Sequence, residues 1–271
     1  MLELRRLDVA YGRRAIVEDL SAGPLAADTV TALLGPNGSG KSTLLKAVAG
    51  LVPLRGGQVL LDGRDLADGG FAQRARQVAY LPQSLPAAVH LRVFESVLAA
   101  AHATVGSLRA QAADTGAVMA LLERLGIGHL ALHYLDRLSG GQKQLAGLAQ
   151  ALVRQPRLLL LDEPLSALDL NHQFHVLDLL REETRERGLV TVIVLHDLNI
   201  ALRHADRCLL MRGGRLLAEG APRDVVTAET LAAAYGVRGR VETCSRGLPQ
   251  VIIDGLAVSL PPLSPPMPPT P

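Results

Sequence analysis

No apolar run in this chain approaches the roughly 18 residues that a membrane-spanning helix needs. The longest clean stretches, Leu158 to Leu161 and Leu189 to Leu195, are strand-sized, so the chain is not expected to cross a bilayer itself. Cysteine is nearly missing. Cys208 and Cys244, far apart in sequence, make neither a disulfide framework nor a metal site and fit reduced thiols in a cytosolic compartment. An excess of one charge is also missing: 28 basic and 26 acidic residues are interspersed and leave +2. That balance carries no electrostatic footprint of a phosphate polymer, so nucleic acid is not an expected partner. The opening Met1-Leu2-Glu3-Leu4-Arg5 alternates in character and lacks a charged-then-apolar leader, so nothing directs export.

What is present is ample apolar content, 48% over 271 residues, enough for one large domain or a core with a subdomain. To about Leu61 the chain reads as strand-rich, with strands at Leu2 to Val9, Val30 to Leu34 and Val59 to Asp62. From Val93 to Leu152 the period becomes helical. Val93, Val97, Leu98 and Ala101 form one stripe, and Val118, Leu121, Leu122 and Leu125 form another. A strand from Arg157 to Asp162, an amphipathic helix from Asn171 to Arg187 stopped by Gly188, and an apolar strand from Leu189 to Leu195 imply a parallel sheet. Cys208 falls in a strand, Arg207 to Met211, that pairs across Gly213-Gly214 with Arg215 to Glu219 as a hairpin. Leu231 to Asp254 adds a short helix and strands. Seven prolines and no charge in 261–271 leave a tail that forms neither ladder nor helix.

The chemistry concentrates at a few places. Gly35-Pro36-Asn37-Gly38-Ser39-Gly40-Lys41-Ser42-Thr43 follows an apolar strand and opens a helical run, Leu44 to Ala49. Its glycines let successive backbone N–H groups face a polyphosphate at a helix start. Lys41 supplies a point charge for the terminal phosphates, Ser42 a hydroxyl for Mg²⁺, and Thr43 a further hydrogen bond. Four leucines then deliver Asp162 and Glu163 to a strand end, the expected ligand side of an open parallel sheet. Asp162 suits the Mg²⁺ shell, and Glu163 suits the base that polarises an attacking water. His196 emerges after another apolar strand, where a lone histidine is more often structural. Gln83 follows a short strand, Val78 to Leu81, and Pro82. Aromatics are scarce at 3%, so Tyr11 at the end of the first strand is a candidate platform for an adenine ring; a surface turn tyrosine is the competing reading. His172 and His175 share a helix but gain no carboxylate or cysteine to complete a metal set, so they read as structural. Between the loop and the acidic strand lies Leu138-Ser139-Gly140-Gly141-Gln142, whose small residues expose N–H groups at the positive end of the following helix.

In that order, the three motifs resemble the nucleotide-binding subunit of ATP-binding cassette transporters, over Leu2 to about Val237. The resemblance implies a P-loop NTPase α/β core: a mixed, largely parallel sheet with helices, an antiparallel β subdomain and an inserted helical subdomain. The expected divisions are an ATPase domain at 1–240 with helices at about 84–155, an accessory segment at 241–257 and a proline-rich tail at 258–271. It implies ATP and Mg²⁺ as cofactors, Tyr11 stacking on adenine, and Gln83 linking the metal site to a membrane partner. Ser166 to Asp169 becomes a dimer-crossing loop, and His196 a γ-phosphate switch. Ser139, Gly140, Gly141 and Gln142 would reach ATP held by the phosphate loop of a second copy. Lys41, Gln83, Glu163 and His196 are thus the expected catalytic set, with Ser42, Gln83 and Asp162 at the metal.

More narrowly, Tyr80-Leu81-Pro82-Gln83, Leu168 to Gln173, Val194 to Asn199 and Ala218-Glu219-Gly220 resemble the importer branch for iron-siderophore, haem and cobalamin uptake. That branch implies permease subunits, a periplasmic or surface binding protein acting indirectly, and a place on the cytoplasmic face of the inner membrane. The segment Ser84 to Leu98 is the expected receiver of a permease helix. Gly147, Ala149 and Gln150 depart from the bulkier or basic residues many members carry there, without touching a phosphate-contacting position. Two alternatives stay open: an exporter with a separate ATPase subunit, and a soluble cassette ATPase. The latter usually has two cassettes or a long coiled coil, whereas this chain has one motif set and no sustained heptads.

Overall fold

The computed structural model of the protein describes residues 1–84, 90–103 and 115–257. The proline-rich segment 258–271 lies outside the described residues, as does part of Ser84 to Leu98. Strands β1 (Leu2–Tyr11), β2 (Arg14–Leu25) and β3 (Thr29–Leu34) lead into α1 (Lys41–Val48), then β4 (Gly56–Leu61), β5 (Arg64–Asp65), α2 (Gly70–Gln77) and β6 (Val78–Leu81). Helices α3 (Val93–Ala103), α4 (Thr115–Arg124) and α5 (Gly140–Leu152) precede β7 (Leu158–Leu161), α6 (Leu170–Arg187), β8 (Val190–Val194) and α7 (Leu198–His204). Then come β9 (Arg207–Arg212), β10 (Arg215–Gly220), α8 (Pro222–Val225), α9 (Ala228–Tyr235), β11 (Val237–Thr243) and β12 (Pro249–Leu256).

A six-stranded sheet in the order β10-β9-β3-β8-β7-β6 is parallel except at β10, which turns back on β9. Its inner strands are predominantly apolar because both faces are covered, with Thr31 and Thr191 the buried polar members. Alternate side chains divide between two cores. Leu159, Leu161, Ile193 and Leu210 face the helical side with α3 to α6, whereas Leu158, Leu160, Val192 and Leu209 face α1 and the antiparallel sheet β2-β1-β4-β5. All four leucines of β7 are at most 1% exposed, and each contributes about 2 kcal/mol of transfer free energy.

Two expected helices have the stop and start signals that predicted them. Gly188 ends α6 in the left-handed conformation, its N–H bonded to Thr184 O, and Ser139 starts α5 with a full capping box. The helices α3, α4 and α5 fall inside the expected 84–155 region. Strand β2 was not resolved by the pattern, since it contains Gly23-Pro24; it sits at the edge of its sheet, where a missing N–H is tolerated. The 240/241 boundary falls within β11. Val237 already pairs with Leu256, so the hairpin β11–β12 starts before that division. Val251 N–H donates to Asn199 Oδ1 at 2.7 Å, tying this hairpin to α7.

Candidate nucleotide site

Parallel register brings the expected residues to one edge. Leu33 pairs with Val194 and Leu161 with Ile193, while Leu81 pairs with Leu161. The chain continuing from each strand therefore places Gly35, Asp162, His196 and Gln83 at the same carboxyl edge, where open α/β sheets bind ligands.

Backbone donors dominate the first part. Gly40 caps α1 in the left-handed region at φ 100° with no side-chain cap, which leaves the first-turn N–H groups for an anion. At Gly35 a Cβ would lie 2.3 Å from Met211 O and 2.8 Å from Ser39 Oγ, so only glycine fits there. Ser39 N–H donates to Pro36 O at 3.2 Å, and its buried hydroxyl has no partner among the described residues. Lys41, 5% exposed, donates from Nζ to Gly35 O at 2.8 Å and Pro36 O at 3.0 Å. Burial lowers its pKa, opposed by Glu163 and then Asp162. An uncapped helix start, a buried ammonium and an orphan hydroxyl fit a polyphosphate.

The two carboxylates have different surroundings. Asp162 is 2% exposed and uses both oxygens: Oδ1 accepts from Ser42 Oγ at 3.0 Å, and Oδ2 from the Tyr80 hydroxyl at 3.1 Å. A hydroxyl and a buried carboxylate side by side are a fitting oxygen donor pair for Mg²⁺. Burial, reinforced by the Asp162 charge, raises the Tyr80 hydroxyl well above the usual tyrosine range, so it stays a donor. Glu163 is held in the left-handed region at φ 53°, an uncommon conformation for a non-glycine residue. There its Oε2 accepts from Gln83 Nε2 at 2.6 Å, and its Oε1 lies 2.6 Å from His196 Nε2. One cavity of about 500 Å³ is lined by Asn37, Gly38, Ser39, Gly40, Lys41, Ser42, Thr43, Gln83, Glu163 and His196, together with Arg14 and Ile16. Tyr11 is half exposed at the end of β1 and pairs in the ladder with Arg14, a cavity residue.

The glycine-rich pentapeptide stands elsewhere. Ser139, Gly141 and Gln142 line a second cavity of about 340 Å³ with Ala167, Leu168 and Asp169. Gly140 is exposed in the first turn of α5. Asp169 caps α6 by accepting from His172 N–H at 2.9 Å, and this bond lowers its pKa. His172 Nδ1 also meets Asp169, and His175 Nε2 meets Arg124 O at 2.6 Å. Four residues were missed as site members: Arg14 and Ile16 on the cavity lining, Tyr80 on Asp162, and Gln144 behind Glu163. Tyr80 had a usable signal, a hydroxyl in a short strand ending beside the acidic strand. Tyr80→Phe is expected to raise the Mg²⁺ concentration giving half-maximal ATPase activity about tenfold, the usual scale for losing a hydrogen bond behind a metal ligand. A titration of activity against Mg²⁺ measures it.

A family model described as ABC transporter matches residues 21–166. The chain is 37% identical over 234 residues to the ferric enterobactin transport ATP-binding protein FepC of Escherichia coli K12, covering 86% of each. It is 39% identical over 258 residues to the hemin import ATP-binding protein HmuV of Pseudomonas fluorescens, covering 93% of this chain and 99% of that one. Among solved structures, an ATP-binding subunit of an ABC transporter superposes with TM-score 0.74 at 28% identity, over 88% of this chain and 94% of the other. A phosphate cradle, an acidic strand end and a separate glycine-rich helix start define an ATP-binding cassette. The chain belongs to the ABC transporter family. Within it, this is an ATP-binding subunit that hydrolyses ATP to power transport.

Proposed function

We propose that two copies of this chain close head to tail on two ATP molecules and power an importer for an iron chelate of the siderophore or haem class. The observation carrying the two-copy reading is that the phosphate cavity and the Ser139–Gln142 cavity share no lining residue. One chain holds two half-sites. Gly35 to Thr43 hold the phosphates of one ATP, and the α5 start of the second copy, through Ser139, Gly140, Gly141 and Gln142, covers its γ-phosphate. Tyr11 stacks on the adenine, and Asp169 stands at the crossing between copies.

Ser42 and Asp162 would hold Mg²⁺, with Gln83 completing its surroundings; the ion supplies charge neutralisation on the β- and γ-phosphates. Glu163 takes the proton of the attacking water, and His196, 2.6 Å from it, holds that carboxylate in place and meets the γ-phosphate. Lys41 neutralises the terminal phosphate oxygens. Transport is driven only to the extent that ATP favours the closed pair over the open one. Permease subunits in the inner membrane read that difference on its cytoplasmic face, near Gln83, and a periplasmic or surface binding protein delivers the cargo to them.

The iron-chelate class is supported by the relatives named for ferric enterobactin and hemin and by a probable siderophore transport ATP-binding protein of Bacillus subtilis, 35% identical over 236 residues. Uptake of a ferric siderophore, haem and cobalamin is to be compared in cells with and without the chain. Loss of one iron-bearing cargo is expected. Unchanged uptake of both iron forms, with cobalamin alone lost, rejects the iron class.

A further inference from the structure

Gln144 is a polar side chain that the nucleotide chemistry does not use. It lies on α5 one and a half turns beyond Ser139, 6% exposed, amid the buried residues Leu145, Leu148 and Ala149. A buried amide must satisfy both of its ends. Nε2 donates to Glu163 O at 2.9 Å and approaches Ser166 Oγ at 3.5 Å, while Oε1 accepts from Ala167 N–H at 3.1 Å. Ser166 Oγ itself donates to Glu163 O at 3.1 Å. One side chain therefore closes the turn from Glu163 to Ala167 by taking a carbonyl at one end and an N–H at the other. The Glu163 carbonyl also accepts from Ser166 N–H at 3.3 Å, so the turn and the amide share it.

The same helix touches this turn a second time. A Cβ at Gly141 would sit 2.7 Å from Ala167 O and 3.2 Å from Leu168 Cδ2, so the first turn of α5 rides directly on it. Glu163, at φ 53°, keeps its direction only while the surrounding backbone holds it, and its carbonyl is the group that Gln144 grips. A shift of α5 along its axis must therefore carry the Glu163 backbone with it.

We infer that Gln144 is a positioning residue that couples the start of α5 to the carboxylate of Glu163, so that ATP against one copy's Ser139–Gln142 segment aligns the base in that copy's own phosphate cavity. The inference rests on the two-copy reading above. It makes the two sites cooperative, with a Hill coefficient that two sites bound at two. Gln144 is buried and lines neither the phosphate cavity nor the Ser139–Gln142 cavity, so its loss acts on turnover and cooperativity rather than on nucleotide capture.

Gln144→Met keeps volume and removes both hydrogen-bonding ends. Expected are a kcat about tenfold lower, a Hill coefficient falling toward one, and ATP affinity of the isolated chain within twofold of the parent. Gln144→Glu keeps an acceptor for Ala167 N–H but sets a carboxylate against Glu163 O; burial favours its protonated form, which restores a donor. Its kcat relative to the parent chain at each pH is expected to recover as pH falls, a readout that simple loss of packing does not give. Parent-like kcat and Hill coefficient in Gln144→Met overturn the inference. If that variant does not fold, a pH-independent ratio for Gln144→Glu overturns it. A parent Hill coefficient of one together with no ATP-dependent dimer in Glu163→Gln overturns the two-copy reading instead, so the two failures are distinguishable.

Discussion

Glu163→Gln is expected to lower ATP turnover by roughly two to four orders of magnitude, the range supplied by a positioned general base, while ATP still binds. Glutamine preserves volume and planarity, and the strand end that aims the side chain is built by Leu158 to Leu161, which the substitution does not disturb. On the proposed mechanism, what disappears is the acceptor for the water proton. On the same reading the variant removes a negative charge facing the γ-phosphate, which favours the closed, ATP-bound pair. Size-exclusion chromatography with ATP and Mg²⁺ is therefore expected to show a stable dimer that the parent chain does not accumulate. Near-normal turnover in this variant would sink the assignment of Glu163 as base.

Lys41→Ala is expected to weaken ATP binding about 10- to 100-fold, because charge-assisted hydrogen bonds contribute about 1.5–3 kcal/mol each. The substitution removes the cation that faces Asp162 and Glu163, both of which act on its charge. A polyphosphate then meets two carboxylates without their counter-ion. The left-handed turns at Gly35 and Gly40 are backbone features, whereas the bonds from Nζ to Gly35 O and Pro36 O are lost with the ammonium. Titration with a fluorescent ATP analogue measures the loss. Retained affinity with lost turnover would instead make Lys41 a residue of the reaction step alone.

The difference between what the sequence disclosed and what it withheld follows from how far apart the partners lie. The phosphate loop was legible because backbone and local spacing suffice, and Asp162-Glu163 because four leucines make their strand end unmistakable. Strand β2 was obscured by Gly23-Pro24, whose acceptability depends on an edge position that only the assembled sheet defines. Helix α2 buries no residue, so it had no stripe to find. Tyr80 and Gln144 escaped for another reason. Tyr80 reaches Asp162 over 82 positions and Gln144 reaches Glu163 over 19, and each contact exists only once β6, β7 and α5 are packed. His196 carried little meaning by spacing; its distance to Glu163 supplies it.

The bond between Asn199 and Val251 makes the C-terminal hairpin an external pointer for the loop that carries His196. At the turn of that hairpin, Cys244 N–H bonds Leu248 O, and backbone donors from Arg246 and Leu248 hold the thiol below its usual pKa. The other cysteine, Cys208, is fully buried in β9, and burial pushes its thiol up to about 12. A maleimide dye will thus discriminate between them without any engineered residue, and its emission will follow the His196 loop through the ATP cycle.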